Sequence, residues 1–147
     1  KGYWFGRIWY KDNKTRIDLM NKKILIICAN YYKEISSGLI SSAKYSIPKN
    51  YKIEIINVPG VFEIPVSISK NLKKFDAFIA LGCVIKGETP HFDFISHAST
   101  NAIMKLSIES KKPIGNGIIT CLNMKQAKAR KRKGAEAAKA ILSVLSQ

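Results

Sequence analysis

The residues best suited to chemistry lie between Gly82 and Asp93, in the run Gly82-Cys83-Val84-Ile85-Lys86-Gly87-Glu88-Thr89-Pro90-His91-Phe92-Asp93. Gly87, Thr89 and the start of the helix behind them can hold an anion with backbone amides and a hydroxyl. His91 stands beside that anion position. Imidazole is the side chain that changes charge between about pH 5 and 8, so it suits proton transfer near neutrality. The other histidine, His97, falls in the middle of a helical stretch and reads as structural. No Cys/His pair has the spacing of metal ligands, so no metal site is expected.

Three further segments carry chemically useful groups. Tyr31 and Tyr32 follow an apolar run and fit either a core contact or a stacking platform for a flat ligand. Pro59-Gly60-Val61-Phe62-Glu63 combines a glycine that allows close backbone approach with free amides at a helix start. Glu63 there either contacts a ligand or simply favours the helix dipole. Lys125, Lys128, Arg130, Lys131, Arg132 and Lys133 form a basic run. Such a run is usually a solvated helix face, and it can also hold a phosphate or nucleic acid. The chain has no Walker sequence, no GxGxxG, no GxSxG and no Cys/His nucleophile pair. Nucleotide hydrolysis, Rossmann-type hydride transfer and hydrolase chemistry are therefore disfavoured.

These segments need elements to position them. Ile24-Leu25-Ile26-Ile27-Cys28-Ala29 is a continuous apolar run of the kind buried on both sheet faces. A helix follows, with Ile35, Leu39, Ile40 and Ala43 on one face, and Pro48 stops it. Residues 52–58 read as a second strand, and Pro59-Gly60 as a turn. Pro65 sits early in the next helix, which carries Ile64, Ile68 and Leu72. The third strand is expected over Phe75–Val84, a helix over Asp93–Glu109 and the fourth strand over Pro113–Cys121. Two short helices are expected over 124–131 and 135–145. Strands joined by helical crossovers must be parallel, with right-handed connections. The expected fold is an α/β three-layer sandwich, a four-stranded parallel sheet with helices on both faces. Ligands of such sheets bind at the carboxyl ends of the strands, where all four chemical segments fall.

Composition narrows the class. At 147 residues, with 46% hydrophobic and 24% charged residues, the chain is the size of one domain with an ordinary core. No apolar run approaches the roughly 20 residues that span a bilayer, so no membrane partner is expected. Cys28, Cys83 and Cys121 are far apart in sequence, which argues for free thiols and a cytoplasmic location. The net charge is +15, which favours anionic ligands. Nucleic acid is disfavoured as the partner, because 21 Lys stand against 4 Arg and base readout favours the planar arginine fork. Residues 1–19 mix Tyr3, Trp4, Phe5, Trp9 and Tyr10 with basic residues and hold no helical or strand period. They read as a basic aromatic arm or extension, with the domain running over 20–147.

The loop residues resemble the 6,7-dimethyl-8-ribityllumazine synthase family. The resemblance rests on Val58-Pro59-Gly60-Val61-Phe62-Glu63-Ile64-Pro65, on Ala80 through Asp93, on Gly117-Ile118-Ile119-Thr120, on Gln126-Ala127 and on Lys133 through Ala138. It is collinear from about Lys23 to the C-terminus. It implies a flavodoxin-like topology and an enzyme, without metal or organic cofactor, that joins a ribitylamino-pyrimidinedione to a phosphorylated butanone. It also implies a homopentamer with sites between subunits. Position by position, it implies that Tyr31 stacks on the pyrimidine, and that Val61, Phe62 and Glu63 hold the ribityl chain. Cys83, Val84 and Ile85 would line the pyrimidine pocket, and Glu88 and Thr89 would meet the phosphate. His91 would transfer protons, Arg130 would grip the phosphate, and Lys133 matches the lysine before the last helix. Asn116 stands where many members carry a Phe that reaches into the neighbouring subunit's site. The segment Arg130–Lys133 is shorter than in many members, and the N-terminal stretch replaces the family's short first strand.

Overall fold

The structure is a computed structural model that describes residues 2–5, 8–10 and 22–147. Four parallel strands form the central sheet: β3 (Lys23–Ala29), β4 (Lys52–Val58), β5 (Ala77–Ile85) and β6 (Ile114–Cys121). Their spatial order is β4-β3-β5-β6, with every neighbour parallel. The chain steps outward from β3 to β4, then returns past β3 to β5. The gap between β3 and β5 is thus a topological switch point.

Period-two alternation sorts the strand side chains into two cores. Ile24, Ile26, Cys28, Ile79, Leu81 and Cys83 face one layer of helices. That layer is α1 (Lys33–Ser46), α4 (Met124–Ala129) and α5 (Lys133–Leu145). Leu25, Ile27, Ala29, Phe78, Ala80 and Val84 face the other layer, made of α2 (Ile64–Asn71) and α3 (His91–Ser110). The three-layer α/β sandwich expected from the sequence is therefore the observed fold.

Local chemistry sets the element ends. α1 places Ile35, Leu39 and Ala43 in the core, and Ser36 donates from its buried hydroxyl to the Ala29 carbonyl at 2.8 Å. This bond ties the helix start to the end of β3. Pro65 lies in the first turn of α2, where no amide is missed. α3 ends on Lys111 in a left-handed conformation (φ 58°), and the Lys112 ammonium reaches the Leu72 carbonyl. Asn123 caps α4 by accepting from the Gln126 amide at 2.9 Å. The start of α5 is held by Ser42, which donates to the Lys131 carbonyl at 2.8 Å and accepts from the Ala135 amide at 3.1 Å.

Several boundaries differ from the sequence reading, among them β5, which runs Ala77–Ile85 rather than Phe75–Val84, and β6, which begins at Ile114 rather than Pro113. α3 begins at His91 rather than Asp93, α5 at Lys133 rather than 135, and α4 ends at Ala129 rather than 131. The stretch read as having no strand period contains β1 (Tyr3–Phe5) and β2 (Ile8–Tyr10). They pair antiparallel, with Trp4 opposite Trp9. Three residues are too few for an alternation to register. The rest of the stretch assigned to an N-terminal arm, residues 1, 6, 7 and 11–19, lies outside the described residues.

α5 packs so closely that two positions exclude a side chain. A Cβ on Gly134 would collide with the Leu39 carbonyl, and one on Gly115 with the Ala137 carbonyl. Gly134→Ala and Gly115→Ala should each lower stability by about 1–3 kcal/mol, the range for overpacking a closed contact. Chemical denaturation at one fixed protein concentration checks this. Gly87→Ala is the control, since nothing lies within 4 Å of its Cβ position. Equal stability of all three variants would refute the close α5 packing.

Candidate functional site

All four parallel strands end at the same edge of the sheet, and the sequence segments with useful groups follow them there. After β3 come Asn30, Tyr31 and Tyr32. The Asn30 amide donates to the Val58 carbonyl at 3.0 Å, which joins this loop to the end of β4. After β4, Gly60 leads into a 3-10 turn at Val61–Glu63. Val61 is buried against the sheet near the α-carbon of Gly82, where a Cβ would meet its Cγ2 at 2.8 Å. Phe62 points outward and is 69% exposed. Glu63 is half-buried.

At the end of β5, Cys83 and Val84 are buried on opposite faces, and Ile85 is half-buried. The Lys86 amide donates to the Cys121 carbonyl at 2.8 Å, so β5 and β6 stay paired to their last residues. Glu88, Thr89 and His91 follow, all exposed. The Thr89 hydroxyl accepts from the His91 amide at 3.4 Å. This contact lies at the first turn of α3. Tyr31 is 75% exposed, and its ring meets that of Tyr32 edge to face at 4.9 Å. Tyr32 in turn lies against Cys83, and burial, Cys83 and Tyr31 together push its hydroxyl up from the usual tyrosine range.

The basic run divides in function. Arg130 follows α4 and donates from Nη1 to the Thr120 carbonyl at 3.3 Å, with Cys121 Sγ at 4.0 Å. Its guanidinium is thus held at the end of β6, next to the segment that leaves β5. Lys131 pairs instead with Glu34 of α1 at 3.3 Å. Lys133 pairs with Glu136, one turn along α5, at 3.1 Å, while its backbone amide donates to the Arg130 carbonyl at 3.0 Å. Asn116 is exposed in the middle of β6, where its side-chain oxygen accepts from the Ile118 amide at 3.1 Å. His97 lies exposed in the middle of α3.

One group escaped the sequence reading as a site residue. Cys121 lies beside both Cys83 and Arg130. The alternation of β5 and β6 puts both thiols on the α1/α5 face, but the register that makes them neighbours is set by tertiary pairing. Burial first, then the charge of and hydrogen bond to Cys121, push the Cys83 thiol up to about 12. Burial also raises Cys28, partly offset by a hydrogen bond with Ser36. Among the described residues no group of three or more His, Cys, Asp or Glu is arranged to hold a metal ion.

Comparison with known proteins agrees with this arrangement. The family model described as 6,7-dimethyl-8-ribityllumazine synthase matches residues 21–147. The 6,7-dimethyl-8-ribityllumazine synthase of Nitrobacter hamburgensis is 38% identical, with 90% of this chain and 89% of the relative aligned. That of Methylorubrum extorquens is 39% identical, over 92% and 87% of the two chains. That of Bartonella bacilliformis is 41% identical, over 86% and 90%.

The raised thiols generate a measurable expectation. An unfolded cysteine titrates near about 8.5, whereas folded Cys83 titrates at about 12. Folding therefore favours the protonated thiol. That contribution is complete below the unfolded value and is lost as pH rises towards the folded one. At pH 8, iodoacetamide should modify Cys83 and Cys28 at least about tenfold more slowly in the native protein than in denaturant, because the thiolate is the nucleophile. Peptide mapping reads this directly. Equal labelling in both states would refute the buried strand end.

Proposed function

The chain belongs to the 6,7-dimethyl-8-ribityllumazine synthase family, and from that premise we infer how its residues do the family's work. It is a transferase of riboflavin biosynthesis. It condenses 5-amino-6-(D-ribitylamino)uracil with 3,4-dihydroxy-2-butanone 4-phosphate, giving 6,7-dimethyl-8-ribityllumazine, phosphate and water. The observation that supports the site assignment is the convergence of the loops after β3, β4, β5 and β6 on one sheet edge. There the Arg130 guanidinium, fixed on the Thr120 carbonyl, neighbours the segment that carries Glu88, Thr89 and His91.

In this reading Tyr31 offers its exposed ring to the pyrimidine face. Val61, Phe62 and Glu63 hold the ribityl chain, whose hydroxyls suit backbone groups and one carboxylate. Cys83, Val84 and Ile85 form the floor under the pyrimidine, with Cys83 kept protonated and unreactive by its burial. Glu88, Thr89 and Arg130 receive the phosphate, the guanidinium stabilising its charge as it leaves. The pyrimidine amine attacks the butanone carbonyl to form an imine, phosphate departs, and the ring closes. His91 moves the protons that these steps exchange. Much of the acceleration comes from holding two substrates in one orientation, which converts a bimolecular step into a unimolecular one. We assign Lys133 to the rim of the site, a role supported by its position at the start of α5 beside Glu136.

A homopentamer with shared sites completes the proposal. Phe62, Val66, Phe94, Met104 and Ile108 are large apolar side chains left more than half exposed on the α2/α3 side. Exposed apolar surface on that scale marks an interface. The open site supports the same conclusion, since Tyr31, Phe62, Glu88, Thr89, His91 and Arg130 are all exposed in one chain. A second subunit would exclude the water. We place the catalytic domain at residues 20–147 and the enzyme in the cytoplasm, consistent with three free thiols. Among the described residues no helix is long and apolar enough to cross a membrane.

Three experiments follow. His91→Ala should lower kcat by about one to two decades, the low end of general acid–base effects, as read by lumazine absorbance above the uncatalysed rate. An unchanged kcat removes the proton-transfer role. Arg130→Ala should chiefly raise KM for the butanone phosphate, and unchanged turnover at low substrate would overturn its placement. Native mass spectrometry should find five times the 16.5 kDa chain mass, whereas a monomer that turns over at full rate would refute the shared site.

A further inference from the structure

A long groove of about 1450 Å³ runs between α1 and α5 on the outer face of the molecule. It lies in the helix layer opposite the exposed apolar residues of α2 and α3, and it contains none of the residues assigned to catalysis. Ile47, Tyr51, Ala135 and Leu142 line it, and Tyr45 stands exposed on its α1 side. Lys44 and Lys49 stand on the α1 side, Arg132 and Lys139 on the α5 side. No Asp or Glu lines it. Lys131 at one end is already paired with Glu34, whereas Lys44, Lys49, Arg132 and Lys139 pair with no carboxylate among the described residues. Two rows of unpaired cations thus flank an apolar trough.

We propose that this groove docks an acidic amphipathic helix from another protein, its apolar face on Ile47 and Leu142 and its carboxylates on the four flanking cations. Dimensions favour a helix over a small molecule. The volume exceeds the roughly 300–1,000 Å³ of small-ligand pockets. The groove follows α5 from Ala135 to Ser146, a length of about 16 Å at 1.5 Å per residue, or three helical turns. Helix-in-groove recognition uses such a trough, with anchors at i, i+3, i+4 and i+7. Charge complementarity selects the acidic partner and speeds its arrival. A second copy of this chain is a poor match, since it carries +15 and only 10 Asp and Glu in all. Nucleic acid fits less well too, because Arg132 is the one arginine among the five cations at the groove.

The test uses the full-length protein and a fluorescein-labelled 14-residue peptide, with Leu at the four anchor positions and Glu on both flanks. The same residues in permuted order make the control, and a 20-nucleotide single-stranded DNA is the competing probe. Fluorescence anisotropy at physiological salt should show the patterned peptide binding at least about tenfold tighter than the permuted one, a difference of about 1.4 kcal/mol. The double variant Lys44→Glu/Lys139→Glu should abolish that preference while keeping lumazine formation, which shows that it is folded. Lys105→Glu, on α3, should leave peptide binding unchanged. Equal binding of the permuted peptide would overturn the proposal in favour of unspecific charge attraction. Tighter binding of the DNA, lost in the double variant, would overturn it in favour of a nucleic-acid surface. A change in oligomer mass in the double variant would overturn it in favour of a contact between copies.

Discussion

Ile24 through Cys28 and Ala77 through Leu81 have no exposure to solvent. Two adjacent strands are therefore sealed on both faces, and every backbone group in them must bond within the sheet. Covering both faces requires helices between consecutive strands. Crossovers of that kind force the strands parallel, and parallel strands release all their outgoing loops at one edge. The site follows from this burial. Polar side chains have no place in the sealed centre, so the groups that meet substrate collect where the strands end. Gly82 shows how little room is left there, since a Cβ on it would press on Val61 and Ala29. The turn after β4 and the end of β5 are thereby locked in one position relative to each other.

Charge works differently from charge count. The chain carries +15, and a run such as Lys128 to Lys133 looks uniform on paper. In the fold its members part company. Arg130 is anchored on a strand-end carbonyl, Lys131 bridges to α1, and Lys133 closes on its own helix. Only the first is aimed at the loop edge. Arginine suits that place, because a guanidinium can rest on a carbonyl with one arm and offer the others to a phosphate. The exposed lysine pairs contribute little to stability, as exposed ion pairs generally do, so most of the excess charge remains available to attract anions.

The central fold was legible because its signals are local. The apolar runs of β3 and β5, the four-residue spacing of Ile35, Leu39 and Ala43, and Pro48 and Pro65 mark strands and helices within a few residues. What was not legible is set by distant contacts or by very short elements. The β1/β2 pair has three residues in each strand, and its evidence lies in the pairing itself. The start of α5 at Lys133 depends on Ser42, ninety residues away in sequence, supplying a hydroxyl to both Lys131 and Ala135. The neighbourhood of Cys83, Cys121 and Arg130 depends on the register of β5 with β6. Site residues were identifiable by type and by family resemblance. Which of them share a neighbourhood follows only from the sheet order β4-β3-β5-β6.

Asn116 is where the sheet would meet a neighbouring subunit in the proposed pentamer. It lies on β6, an outer strand of the sheet, and its side-chain oxygen accepts from the Ile118 amide two residues on. That bond folds the side chain back along its own strand. The phenylalanine that many family members carry there has no polar atom to fold back, so it is free to project. In the proposed pentamer, a short, self-bonded amide would leave more open space at this point between subunits and would replace an aromatic contact with a single polar group. On the proposed reading, affinity for the flat pyrimidine would then rest more heavily on Tyr31, whose ring is three-quarters exposed and steadied from one side by Tyr32. On that proposal the two positions are coupled through the ligand. Restoring an aromatic side chain at 116 would share the stacking load, and removing the ring at 31 would cost this chain more than it costs a relative that keeps both.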